Sequence, residues 1–180
     1  MKSETKIEFL RSGLVTSIQG ETINNLQHLG ITTSGPMDYF LSKIGNLIME
    51  NNEDDLTFEI CKFGPIIKVM EGSFIFLVSG NINFNIITNS KTQLGKCFKS
   101  YILKTGDILE LNQTINSNYA YLIFKGKLNT DISSNYKSSI ISSSLGINDG
   151  KRIKDSDEFK ILRIPNFKER ILSLSVSNFY

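Results

Sequence analysis

The sequence predicts a mainly β protein, a closed barrel or a sandwich, carrying one main amphipathic helix. Three observations carry that reading. Short apolar or alternating runs recur along the chain, and Gly, Asn, Asp and Ser separate them as turn signals. A single segment, about 37–49, keeps the 3.6-residue period of a helix instead. Regular short strands with one helix are the pattern of barrels and sandwiches.

In chain order, the first two strands are read at 6–10 and 14–18. The densest polar segment follows, Gln27-His28-Leu29-Gly30-Ile31-Thr32-Thr33-Ser34-Gly35-Pro36-Met37-Asp38, holding the only histidine with a hydroxyl and a carboxylate between glycines. Ser34-Gly35-Pro36 reads as a helix start, a capping residue followed by proline in the first turn. Asp38 then falls in that turn, where exposed amides favour a carboxylate. Met37, Phe40, Leu41, Ile44, Leu47 and Ile48 form one buried stripe, and the polar run Asn51-Asn52-Glu53-Asp54-Asp55 closes the element. Further strands are read at 56–62, 66–70, 73–79, 83–88, 100–104, 108–111, 120–125 and 172–176. The polar, Ser-rich stretch 127–144 reads as a long loop.

Composition narrows the functional classes. The chain has 180 residues, enough to bury one good core. With 40% hydrophobic and 21% charged residues it is an ordinary globular composition and not a disordered one. Twenty basic against 18 acidic residues leave a net charge of +2, too balanced for a nucleic-acid surface. The polar start, 1–6, leads into no signal-like apolar stretch, and no run approaches ~20 apolar residues, so a cytoplasmic location is expected. Cys61 and Cys97 have no Cys-x-x-Cys spacing and read as small buried hydrophobes. One histidine and no EF-hand-like loop leave no metal site to expect.

The order Gly13-Leu14-Val15-Thr16, Gln19, Gln27-His28-Leu29-Gly30, Ser34-Gly35-x-Met37-Asp38 and Asn46-Leu47 resembles the biotin-dependent carboxyltransferase (allophanate hydrolase subunit 2) family, which includes a component of 5-oxoprolinase. Phe58-Glu59, Gly64-Pro65, Ser79-Gly80, Gly106-Asp107, Tyr121-Leu122, and Gly150-Lys151 with Asp157 keep the family's order, so the resemblance covers most of the chain. It implies a cyclophilin-like β-barrel over 1–130 and a shortened second part over 131–180, because family members are much longer. It also implies a subunit of a 5-oxoprolinase, allophanate hydrolase or urea carboxylase type of enzyme, acting on amide or lactam C–N bonds. The implied partners are a homologous subunit 1, of the kind found in 5-oxoprolinase, and a LamB/YcsF-type subunit. No cofactor is expected on the chain itself, with ATP or carboxybiotin used by the assembled enzyme.

Within that resemblance His28, Ser34 and Asp38 are the candidate catalytic residues, and Gln27, Gly30, Gly35, Met37, Ser79 and Gly80 the candidate substrate contacts. Histidine holds or releases a proton near neutrality. Gln27 and Ser34 would position polar substrate atoms, amides near Gly30, Gly35 and the helix start would approach an anionic group, and Asp38 would orient His28 or accept a substrate N–H. The three catalytic candidates are expected to converge on one pocket at the helix start. The plainer readings are a structural His28, an Asp38 that complements the helix dipole, and turns at Ser79-Gly80 and Gly106-Asp107. A Ser-His-Asp hydrolase is not indicated, because no Gly-x-Ser-x-Gly elbow is present.

The departures from the family pattern carry weight of their own. Gly20-Glu21-Thr22-Ile23 replaces the family's Asp-Leu-Gly-Arg, Asn118-Tyr119-Ala120 lacks the arginine before the Tyr-Leu pair, and Lys137-Ser138-Ser139-Ile140-Ile141 stands for Gly-Ser-Arg-Ser-Thr. Arginines there would be planar, always-charged donors for carboxylate or phosphate. Their loss leaves a second class open, a non-catalytic remnant or regulatory binding module of the same fold. The apolar tail with Phe167, Leu172, Val176 and Tyr180 is expected to pack in a sheet or against a partner.

Overall fold

The computed structural model describes residues 4–22, 26–89, 91–130 and 137–162. In chain order the elements are β1 (Glu4–Arg11), β2 (Val15–Gln19), α1 (Tyr39–Ile48), β3 (Thr57–Cys61), β4 (Ile66–Glu71), β5 (Ser73–Gly80), β6 (Ile82–Thr88), β7 (Lys91–Leu94), β8 (Ser100–Lys104), β9 (Ile108–Thr114), β10 (Tyr119–Phe124), β11 (Lys127–Leu128) and β12 (Glu158–Leu162). Short 3₁₀ turns lie at Gln27–Leu29, Ile141–Ser143 and Ile147–Gly150. The mainly β prediction with one main helix holds.

The strands form two antiparallel sheets, one ordered β11-β12-β1-β4-β9-β6-β7 and the other β2-β3-β10-β5-β8. Period-two alternation decides which side chains meet between them. Ile7 and Phe9 of β1, Ile67 and Val69 of β4, and Leu109 and Leu111 of β9 face Ile18, Phe58, Ile60, Phe76, Val78, Leu122 and Phe124 of the second sheet in one core. Phe9 meets Phe58 edge to face with centroids 5.1 Å apart, a favoured aromatic geometry. Each such side chain, fully buried, is worth about 1.5–3 kcal/mol of transfer free energy.

The chain on either side of residue 130 shares this core. Ile147, Ile153, Phe159 and Ile161 join the cluster, and β12 pairs with β1 as Ile7↔Phe159 and Thr5↔Ile161. Within described residues 137–162, read from the sequence as part of a second unit over 131–180, Glu158–Leu162 joins the first sheet. Strands β7, β11 and β12 were not anticipated: β7 is exposed on every side chain and β11 has two residues, so neither carries an apolar alternation to read. The strand expected at 172–176 and the apolar tail lie outside the described residues.

Helix α1 packs on the outer face of the five-stranded sheet, where Leu41, Ile48 and Met49 meet Ile75, Leu77 and Ile123. Gly45 permits the close approach, since a Cβ there would fall 2.6 Å from Ile123 Cγ1. Asp38 is the N-cap, its carboxylate accepting from the Leu41 amide at 3.0 Å, so the helix begins at Tyr39, after the start expected at Ser34-Gly35-Pro36, which forms the turn leading into it. At the other end Lys125 Nζ donates to the carbonyls of Met49 at 2.8 Å and Glu50 at 2.7 Å. Burial holds the Lys125 ammonium below its ordinary pKa. No helix among the described residues is long and apolar enough to cross a membrane.

Candidate functional site

Only part of the outer face of the five-stranded sheet lies under α1. The outward set of β2 and β3 is Val15, Ser17 and Gln19 with Thr57, Glu59 and Cys61, because the alternation sends Thr16, Ile18, Phe58 and Ile60 inward. Register then aligns Ser17 with Glu59, Glu59 with Tyr121 and Tyr121 with Ser79, a lateral polar row across β2, β3, β10 and β5.

This row is stitched to the helix start. Tyr121 Oη donates to Glu59 Oε2 at 2.8 Å, and the Met37 amide donates to the same oxygen at 2.7 Å. The Asp38 amide donates to Tyr121 Oη at 2.7 Å, and Ser79 Oγ donates to the Leu41 carbonyl at 2.6 Å. Glu59 is 7% exposed, and burial pushes its pKa above the ordinary carboxylate range. The bonds from Met37 and Tyr121 oppose that shift and the charge of Asp38 adds to it. Burial and the neighbouring Glu59 also push the Tyr121 hydroxyl far up, so it stays a donor.

Beside this network lies a hollow of about 330 Å³. Its floor is Ser17, Gln19 and Glu59; its walls come from the turn leading into α1, with Ser34 and Met37, and from Ser139 to Ser142. The second wall is held against β2 by the Ser139 amide on the Ile18 carbonyl at 3.0 Å. Gln19 Nε2 donates to Ser17 Oγ at 3.0 Å and to the Ser139 carbonyl at 3.2 Å, which fixes the orientation of the amide. Gln19 Oε1 and Ser34 Oγ are buried and have no partner among the described residues. Buried polar atoms are nearly always paired, so two unpaired ones on one hollow make it the candidate site among the described residues. A larger hollow, about 490 Å³, lies by Glu21, Glu53, Asp54 and Asp55, but its charges pair at the surface, as Lys137 does with Glu21 at 2.8 Å.

Of the predicted site residues, Ser34, Gly35 and Met37 line the hollow. Gly35 sits at φ +130° with a Cβ position 2.8 Å from Thr22 Oγ1, so this turn accepts only glycine without strain. The expected convergence of His28, Ser34 and Asp38 is not what the structure places there. His28 and Gln27 are exposed on the 3₁₀ turn, outside the lining; Gln27 Nε2 donates to Thr33 Oγ1 at 2.9 Å, and Gly30 ends the turn in a left-handed conformation facing open space. The Asp38 carboxylate is committed to the helix as its cap. Ser79 is fully buried and anchors α1, while Gly80, at φ +120°, packs against Ala120; neither lines the hollow.

Glu59, Tyr121, Gln19 and Ser17 were not among the site residues read from the sequence. The signal was present: Phe58-Glu59, Tyr121-Leu122 and Gln19 recur in the motif order, each polar residue beside an inward-facing apolar one.

Residues 29–177 match the family model described as carboxyltransferase domain, subdomain A and B. Among solved structures, the urea amidolyase of K. lactis superposes with TM-score 0.75 at 24% identity, over 89% of this chain and 9% of that one. The Kluyveromyces lactis urea carboxylase gives 0.75 and 24%, over 89% and 14%. TTHA0988 gives 0.80 at 15% identity, over 97% of this chain and 34% of that one. The chain thus spans about a third or less of these structures, and the likeness at such identities is one of fold. Sequence comparison with curated proteins returns no match. Because the family model covers well over half of the sequence, the chain belongs to the carboxyltransferase-domain family, as its motif order implied.

Proposed function

We propose that this chain is one subunit of an enzyme acting on amide- or urea-type C–N bonds, and that the hollow over β2 and β3 holds the nitrogen-bearing part of the substrate. One observation carries the reading: two unpaired buried polar atoms, Gln19 Oε1 and the Ser34 hydroxyl, line one hollow of substrate size together with the buried Glu59 carboxylate. An amide or urea presents planar N–H groups that would satisfy them. Its carbonyl oxygen would find donors in the Tyr119 and Ser hydroxyls of the lining. Glu59, held by Met37 and Tyr121, would accept a hydrogen bond from the reacting nitrogen or take its proton.

The phosphates of ATP or the carboxylate of carboxybiotin would find few donors in this hollow. Among the described residues its lining has no lysine, arginine or histidine, and the amides of Met37, Asp38 and Leu41 are already occupied by Glu59, Tyr121 and Asp38. A partner, a subunit 1 homologue or a LamB/YcsF-type subunit, would hold whichever of these the assembled enzyme uses. The exposed His28, Met37 and Phe40 around the helix start offer that partner a surface.

The second reading, a binding module without turnover, is favoured by one feature: the candidate catalytic trio does not meet in the hollow. Co-expression with the neighbouring gene products and assay on 5-oxoproline with ATP, and on urea-type substrates, separates the two. Turnover lost in Glu59→Gln supports the enzyme. Ligand binding without turnover in the complete assembly supports the module.

A further inference from the structure

The hollow's charge pattern narrows what it can hold. Among the described residues of the lining Glu59 supplies the only carboxylate, and no lysine, arginine or histidine answers it. The titratable groups around it are a carboxylate, two phenols and a thiol: Asp38 at the helix cap, Tyr121 and Tyr119 on β10, and Cys61 on β3. A helix start would ordinarily welcome an anion through its free amides. Here the amides of Met37, Asp38 and Leu41 are taken by Glu59, Tyr121 and Asp38, which weakens that attraction. Both bonds that Glu59 receives fall on Oε2, leaving Oε1 to a ligand. Met37, Ile140 and Ile141 add an apolar side to the same hollow.

We infer that the hollow takes a planar cation rich in N–H donors, a guanidinium or amidinium group on an aliphatic stem. Glu59 is its counter-charge, Gln19 Oε1 and Ser34 Oγ accept from its remaining N–H groups, and the stem lies along Met37, Ile140 and Ile141. The inference rests on the hollow being the ligand site of the proposed function and adds to it a preference for positive over neutral or negative occupants. Desolvated ion pairs need good geometry to repay burial, and a fork of parallel N–H donors facing a fixed carboxylate provides it.

Three probes of one shape test it: propylguanidinium, propylurea and pentanoate, each titrated into the isotope-labelled full chain while the amide resonances of Gln19, Ser34, Gly35 and Ser139 are followed. At pH 8 propylguanidinium is expected to bind at least about tenfold tighter than propylurea, with pentanoate leaving these resonances unmoved. Glu59→Gln should reduce that preference to about threefold or less while the rest of the spectrum is retained. Without any variant, acidification through the raised titration range of Glu59 should weaken the cation and leave propylurea unchanged. Equal binding of propylurea and propylguanidinium, or tightest binding of pentanoate, overturns the inference and leaves the proposed function standing. Failure of all three probes to move these resonances at millimolar concentration overturns both.

Discussion

The outer face of the five-stranded sheet is split into two halves, one on β10 and β5 and the other on β2 and β3. Under α1, the outward residues Ile75, Leu77 and Ile123 are apolar, fully covered and locked by Gly45 and by caps at both helix ends. Over β2 and β3 the outward residues are Ser17, Gln19 and Glu59, equally buried yet incompletely paired. Burial alone therefore does not separate scaffold from site here. What separates them is whether the buried groups have found partners within the chain, since a protein gains nothing in stability from an unpaired buried acceptor.

The largest expected effect lies on the covered half. Leu77→Ala, at a position with no exposure, should cost about 2–5 kcal/mol in chemical denaturation through lost burial and the cavity left behind. A cost below about 1 kcal/mol would mean that the helix does not lock this half. Next comes the seam between the halves. Tyr121→Phe removes the hydroxyl that bridges the Asp38 amide and Glu59, leaving the Asp38 amide unpaired and Glu59 with the Met37 amide alone, and should cost about 1–3 kcal/mol.

Glu59→Gln tests the polar half through pH. Below the ordinary carboxylate range both folded and unfolded chains carry the proton and the site costs nothing. As pH rises, the unfolded chain loses its proton first because the folded pKa is raised, so stability falls across the interval and the full penalty persists above it. The amide variant keeps an acceptor for Met37 and Tyr121 and has no proton to lose. It should therefore flatten the decline in Tm that begins near pH 4.5 and melt above the parent at pH 8. A parallel pH profile in the two proteins would break the comparison. Ser34→Ala should have the smallest effect, within about 0.5 kcal/mol, since its hydroxyl has no partner to lose. A loss above about 1 kcal/mol would show that the hydroxyl is paired in solution.

Much of the architecture was legible because periodicity is local. The alternation of β1 and β3 can be read within a few residues, while β5 and β10 are buried on both faces. Of the expected helix stripe, Leu41, Ile44 and Ile48 do face the sheet, whereas Met37, Phe40 and Leu47 are exposed, because α1 covers the sheet with a narrower face than the apolar spacing suggests. The candidate site was legible only in part. Ser34, Gly35 and Met37 sit in one turn and were found, whereas Ser17, Glu59 and Tyr121 come together only through strand register, which no local window contains. His28 was singled out by residue type, and an exposed turn places it outside the hollow, a position that residue type does not encode. Asp38 was more legible, since its plainer reading as a helix-end charge is close to its role as cap.

The pairing of β1 with both β4 and β12 also has a kinetic side. Ile7 leaves the ribosome well before either of its neighbours, meeting the first at Val69 and the second only at Phe159. Until that last strand emerges, one hydrogen-bonding edge of β1 stays open, together with the apolar ends of Phe9 and Phe58 that Phe159 later covers. Loop closure over such spans is slow, and an open edge beside exposed aromatics is a surface for mispairing. The nascent chain therefore depends on whatever shields it during synthesis, and a stop codon before Phe159 would be felt first as aggregation.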